Sequence, residues 1–194
     1  KLKMGMTESE VKAVCGEPAN YYQNKENTRD VIDEKVYAYN DLSLVFMQDN
    51  GSYRLCAAAS TSSNDIFARG IKVGESRDRI LELFYRDENC LNNNLLTEDE
   101  ETVIGKYLYG TFTMDQLEER KVSERIQYGV INYNGNESFE KADSYIVEFT
   151  CFEPPYKSKY AGYDDDFSQM AFDIDSKGMI SGIRWYYYPE VTTK

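Results

Sequence analysis

The sequence contains no histidine. That absence removes His-based catalytic triads, imidazole proton shuttles and zinc sites built on imidazole. Cations are scarce, with 22 Lys and Arg against 34 Asp and Glu and a net charge of −12. Such a chain lacks the clustered Lys and Arg that nucleic acid or an anionic membrane surface requires. No apolar run approaches the roughly 18 residues that a membrane-spanning helix needs. The phosphate-cradling patterns G-x-G-x-x-G and G-x-x-x-x-G-K are also missing. What is present is a globular composition: 41% apolar, 14% aromatic, with 17 Tyr and 9 Phe among 194 residues. That length suits one domain or two small ones, and the apolar share is enough to bury a core.

A weak internal likeness organises the chain. Lys3-Met4-Gly5-Met6-Thr7-Glu8-Ser9-Glu10-Val11 aligns with Lys72-Val73-Gly74-Glu75-Ser76-Arg77-Asp78-Arg79-Ile80 at a constant offset of 69. Thr7 and Ser76 are natural helix N-caps, because their hydroxyl oxygens can accept the unpaired N–H groups of a first turn. Thr7-x-x-Glu10 is a full capping box, and Ser76-x-x-Arg79 keeps half of one. Val11, Val14 and Cys15 then follow helical spacing, as do Ile80, Leu83 and Phe84. The first helix should stop at Gly16, with Pro18 just beyond it, and the second near Glu88. Alternation predicts strands at about 36–39, 42–48 and 53–60, the last two turning at Asp49-Asn50-Gly51. Further strands are expected near 127–133, 144–152, 167–175 and 179–188, the last pair turning at Asp175-Ser176-Lys177-Gly178.

The expected fold is therefore α+β: two tandem helix-plus-antiparallel-meander repeats, the helices packed on one face of the sheet. The first repeat would occupy residues 1–68 and the second 69–194. A polar insertion at about 90–125, with a strand at 106–113, reads as an excursion over the surface.

Gly5-Met6-Thr7-x-x-Glu10-Val11 with Gly16-x-Pro18 resembles the signature of the β-lactamase-inhibitor-protein superfamily. That group includes small outer-membrane-assembly lipoproteins and surface lipoproteins of unknown function. The resemblance implies a helical layer on an antiparallel sheet whose other face is open to protein partners. It also implies an extracytoplasmic, envelope-anchored bacterial protein with a lipid anchor upstream. The chain opens at Lys1, which is compatible with removal of a signal peptide. The insertion and the missing Gly-x-Pro stop in the second copy depart from the pattern, so neither a partner nor β-lactamase inhibition is carried over.

The catalytic vocabulary is thin. Cys15, Cys56, Cys90 and Cys151 are far apart, unlike a C-x-x-C redox or metal cluster. Cys15 aligns with Phe84, and Cys151 shares strand parity with Val147 and Phe149, so both read as buried apolar residues. An exported chain could pair cysteines, and the connectivity is open. Cys90, beside a polar loop, is the one candidate thiol nucleophile, but without histidine it lacks a base. Asp173-Ile174-Asp175-Ser176-Lys177-Gly178 opens like a calcium loop and fails at Lys177 and Arg184, so a hairpin turn explains it better. Asp164–Asp166 and Glu98–Glu101 read as solvated acidic loops, and Asn136-Glu137-Ser138 matches a sequon that chance often supplies. No catalytic residue, metal or cofactor is assigned.

The aromatic residues point to binding instead. In the last strand Ile183, Trp185 and Tyr187 would face the core, and Arg184, Tyr186 and Tyr188 the open face, with Phe152 on a neighbouring strand. Arg54, Cys56 and Ala58 would form the matching, smaller open face of the first repeat. A sheet face rich in Tyr, Phe and Arg has the composition of a protein-recognition surface, although Tyr is also an ordinary strand former. The expectation is a non-catalytic, extracytoplasmic interaction module binding a protein or cell-envelope component through Arg184, Tyr186, Tyr188, Phe152 and Arg54. The alternative is a small-ligand or envelope-signal sensor with a pocket between the repeats.

Overall fold

The computed structural model describes residues 1–24, 33–49, 51–84, 86–87, 90–96, 102–109, 128–133, 142–151 and 168–187. Helix α1 (Glu8–Cys15) begins as the sequence predicts. The Glu10 N–H donates to Thr7 Oγ1 at 3.3 Å, and the Thr7 N–H donates back to Glu10 Oε2 at 2.8 Å. It ends at Gly16, whose N–H donates to the Lys12 carbonyl. Helix α2 (Arg77–Leu83) is capped by Ser76, which accepts the Asp78 N–H at 3.3 Å. It stops well short of Glu88, because Phe84 turns extended (φ −108°, ψ 149°) and buries its ring against Phe149 and Phe172.

The two caps share one local device. Gly5 N–H donates to the Leu55 carbonyl and Leu55 N–H donates to the Met6 carbonyl, each at 2.8 Å. At the second cap Gly74 N–H donates to Ile180 and Ile180 N–H to Glu75, again at 2.8 Å. Isolated bridges Thr7–Arg54 and Ser76–Met179 complete each clasp. Gly5 (φ +82°) and Gly74 (φ +90°) both sit in the left-handed region, where a Cβ would be strained, which explains their place in the aligned segments.

The likeness ends there. The expected pair of helix-plus-meander repeats, with helices packed on one face, is overturned by the strands. The ten strands are β1 (Asn20–Asn24), β2 (Glu34–Ala38), β3 (Leu42–Asp49), β4 (Ser52–Ser60), β5 (Asn94–Leu96), β6 (Val103–Tyr109), β7 (Tyr128–Asn132), β8 (Ser144–Cys151), β9 (Ser168–Asp175) and β10 (Ile180–Tyr187). They form one antiparallel sheet in the order β1-β2-β3-β4-β10-β9-β8-β7-β6-β5. The physical reason lies in helix length. α1 and α2 span only about two turns each and bury one residue apiece, Val11 and Ile80. Neither can cover a sheet. Within the stretch read as an insertion, β5 and β6 join the sheet, β5 pairing with β6 and β6 with β7, and β6 overlaps the strand expected at 106–113. No helix among the described residues is long and apolar enough to cross a membrane.

The chain divides into two compact units. One holds Lys1–Ser60 and the end of β10 from Arg184 onward. Here β1 to β4 form a meander, with Tyr22 opposite Val36, Val36 opposite Val45, and Val45 opposite Ala57. Between Val45 and Phe46 the register with β4 slips. Val45 pairs with Ala57 and Phe46 with Leu55, so Cys56 is the extra residue of a β-bulge. One face buries Val11, Tyr37, Leu44, Phe46, Leu55 and Ala58. The other buries Met47, Cys56 and Ala57, with Val45 and Tyr186 packed against them.

The second unit runs from Thr61 through β8 and includes Gln169–Ile183. Phe84 stacks on Phe149 at 4.1 Å between centroids and 11° between planes, and both rings meet Phe172 edge-on. Arg77 Nη1 donates to the Tyr145 hydroxyl at 2.7 Å. The β9–β10 turn is a hairpin: Asp175 Oδ1 accepts the N–H groups of Lys177 and Met179, both at 2.9 Å. Those bonds account for Asp175, the second aspartate of the calcium-like pattern.

Candidate functional site

The residues singled out for an open aromatic face fare unevenly. Phe152 and Tyr188 lie outside the described residues. Tyr186 lies on the sheet face away from α1, half-buried against Met47, Cys56 and Ala57. Arg184 is half-buried in the same strand. Arg54 is half-buried too, and its Nη1 donates to the Gly5 carbonyl at 3.3 Å, so it belongs to the first clasp. Cys56 and Ala58, read as neighbours on one open face, are both buried and serve opposite clusters. The bulge at Cys56 inverts the alternation between them.

Cys56 is not an activated thiol. It donates its S–H to the Val45 carbonyl at 3.3 Å. Burial, reinforced by the Glu34 charge, pushes the Cys56 thiol up to about 12. Among the described residues, no group of three or more Cys, Asp and Glu is arranged to hold a metal ion.

The densest polar constellation lies on the α1-facing side of the first unit. Lys35 Nζ is 2.9 Å from Glu8 Oε2 and 3.8 Å from the centre of the Tyr53 ring. The Tyr37 hydroxyl donates to Glu8 Oε1. Tyr53 donates to Asp33 Oδ2 at 2.7 Å, and Gln23 Nε2 donates to Asp33 Oδ1 at 3.0 Å and to the Tyr53 oxygen. Burial first, then the hydrogen bond to Asp33, raises the Tyr53 phenol to about 12. Tyr37 is raised for the same reasons, with Glu8 as its partner. At neutral pH both phenols are therefore fixed donors, and Lys35 is held between a carboxylate and a ring. The arrangement presents no poised base or nucleophile. It ties Gln23 of β1 to β4 and α1 to β2.

That bracing bears on β1, whose sequence is Asn-Tyr-Tyr-Gln-Asn. β1 ends the strand order and pairs residue for residue with β2. Its adjacent tyrosines point to opposite faces. Tyr21 meets Tyr37 edge-on at 5.9 Å yet stays 59% exposed, and Tyr22 is 61% exposed. Val14, on the nearby chain segment α1, is also exposed. Sequence reasoning passed over this strand because two adjacent tyrosines between asparagines show neither helical nor alternating periodicity. The doublet itself, in an uncharged stretch just after Pro18, was the available signal.

No protein-family model, characterised protein or solved structure matches the chain. The likeness carried by Gly5-Met6-Thr7 and Gly16-x-Pro18 therefore rests on those residues alone.

Proposed function

We propose that the chain is a non-catalytic protein-interaction module that grips its partner through the edge of the first unit at Tyr21 and Tyr22. One observation carries this reading. Two large aromatic side chains are more than half exposed on an uncharged edge strand that a polar network holds in place. Tyr supplies wide contact area at low entropic cost, and it is over-represented among residues that dominate binding energy. The face built from Arg184, Tyr186 and Arg54 is the weaker support, since its members are partly spent on internal packing.

The test is capture of partners from a source-cell envelope extract by immobilised protein, followed by titration of the purified partner. Wild type is compared with Tyr21→Ser/Tyr22→Ser and with Tyr186→Ser. Loss of one hot-spot aromatic costs about 2 kcal/mol or more, so affinity should fall at least tenfold for the β1 variant. Equal affinity for wild type and the β1 variant would sink the reading. The extracytoplasmic, lipid-anchored setting implied by the resemblance belongs to the same proposal. Fractionation of cells carrying a tagged copy checks it, with recovery in the cytoplasm counting against it.

A further inference from the structure

We infer that β1 receives its partner by strand addition, and that the added strand is an extended segment bearing Lys or Arg. The inference rests on the interaction-module reading and specifies its partner. It begins with the contrast between the two ends of the sheet. Edge strands expose a row of unpaired N–H and C=O groups, and proteins usually blunt them by shortness, bulges, proline or charge. β5 at one end has three residues and a register shift between Leu95 and Leu96. β1 at the other end has none of these devices. It is five residues long, its register with β2 is unbroken from Asn20–Ala38 to Asn24–Glu34, and it holds neither charge nor proline. Among the described residues, the edge left open is the one that carries the exposed tyrosine pair.

Charge selects the occupant. The chain carries −12, so a second copy approaching edge to edge meets repulsion. β1 contributes no cation. Of the described lysines near it, Lys35 is engaged by Glu8 and Lys12 by Glu17 at 2.8 Å. Glu34, opposite Asn24, adds a carboxylate beside the strand. An incoming cationic strand meets attraction from the whole chain and two aromatic faces at close range. Its side chains alternate, so cations on one side fall over Tyr21 and those on the other over Tyr22. Each position allows a cation–π contact. Main-chain hydrogen bonds supply affinity in such additions, and alternating side chains supply specificity.

The probe is an alternating Lys-Val octapeptide, beside a Glu-Val octapeptide and a Lys-Val version N-methylated at alternate amides. Binding is read by titration calorimetry and by amide exchange of the full chain. The expected result is binding by the Lys-Val peptide with new protection at 20–24. Affinity should fall at least tenfold in the Tyr21→Ser/Tyr22→Ser variant and on raising salt from about 0.05 to 0.5 M, where screening shortens to a few ångströms. The N-methylated peptide should not bind, since it cannot pair along the edge. Circular dichroism checks that the variant keeps its fold. Equal binding of the Glu-Val peptide overturns the charge selection, and protection away from β1 overturns the site. Concentration-dependent protection of β1 without peptide makes a second copy the occupant and overturns the inference. If no octapeptide binds, strand addition by a basic segment falls. In that case a natural partner still lost by the β1 variant keeps the interaction-module reading, and one retained by it removes both.

Discussion

Replacing Phe84 tests whether the core of the second unit is held by specific ring packing or only by buried volume. Phe84 is 6% exposed, stacked on Phe149 at 4.1 Å and set edge-on to Phe172 at 5.9 Å, with the Arg69 guanidinium 4.1 Å from its centre. Phe84→Ala removes the ring and leaves a cavity between two aromatics that are held by their own strands. A large-to-small change of this kind costs about 3–5 kcal/mol. Phe84→Leu keeps most of the volume and loses the ring pairs, each worth about 0.5–1.5 kcal/mol beyond burial. Its cost should be about 1–2 kcal/mol. Arg69 is exposed, so its cation–π contact adds about 0.5–1 kcal/mol, to be read as the coupling in a cycle of Phe84→Leu with Arg69→Met. Because the chain has two compact units, the assay should report on the second alone. Native-state amide exchange along β8 and β9 under a urea gradient does so. A loss below about 1 kcal/mol for Phe84→Ala would refute the burial argument, and a Phe84→Leu variant as stable as wild type would refute ring-specific packing.

Alkaline pH should weaken the first unit. Folded Tyr53 and Tyr37 hold their phenol protons more tightly than the unfolded chain does. The stability they contribute is therefore intact below the unfolded value of about 10 and is lost as pH rises through about 12 for Tyr53. Tyr53→Phe should flatten that part of a urea-midpoint profile, and an unchanged slope would count against the network. Cys56, raised to about 12 by burial, should resist iodoacetamide at pH 8 in the folded chain and react after unfolding. Mass spectrometry that found it modified in the native state would contradict its burial. Gly105→Ala should cost about 2–3 kcal/mol by overpacking, since its Cβ would lie 2.2 Å from the Ile131 carbonyl oxygen. Gly182→Ala should cost less, because its Cβ meets the movable Asp173 carboxylate at 2.8 Å. The reverse order in thermal melts would refute the backbone-clash argument.

Local features were legible in the sequence to the extent that their cause is local. The Thr7–Glu10 box, the stop at Gly16 and the hairpin at Asp175–Gly178 depend on a few adjacent residues, and all are formed. Strands with apolar alternation, such as Leu42–Asp49 and Ile180–Tyr187, fell close to their expected places. The architecture did not, because nothing in the helical spacing of Val11, Val14 and Cys15 says that the helix will bury only Val11. β6 overlaps the strand expected at 106–113, whereas β5 was hidden by the polar composition around it and β1 by its lack of periodicity. The grouping of Cys56 with Ala58 on one face failed for a non-local reason: the parity behind it assumes an unbroken ladder with β3, and the ladder breaks at Cys56.

That break gives β4 a signature of its own. Tolerance to polar substitution along a half-buried strand oscillates with a period of two, like a wave. In β4 the wave slips in phase at Cys56: Tyr53 and Leu55 address the helix side before it, and Ala58 addresses the same side after it, an even number replacing odd ones. A single inserted residue thus works as a switch of frame. It lets the adjacent Cys56 and Ala57 share the smaller core around Met47 while Leu55 and Ala58 share the larger one beneath α1, a grouping that strict alternation forbids.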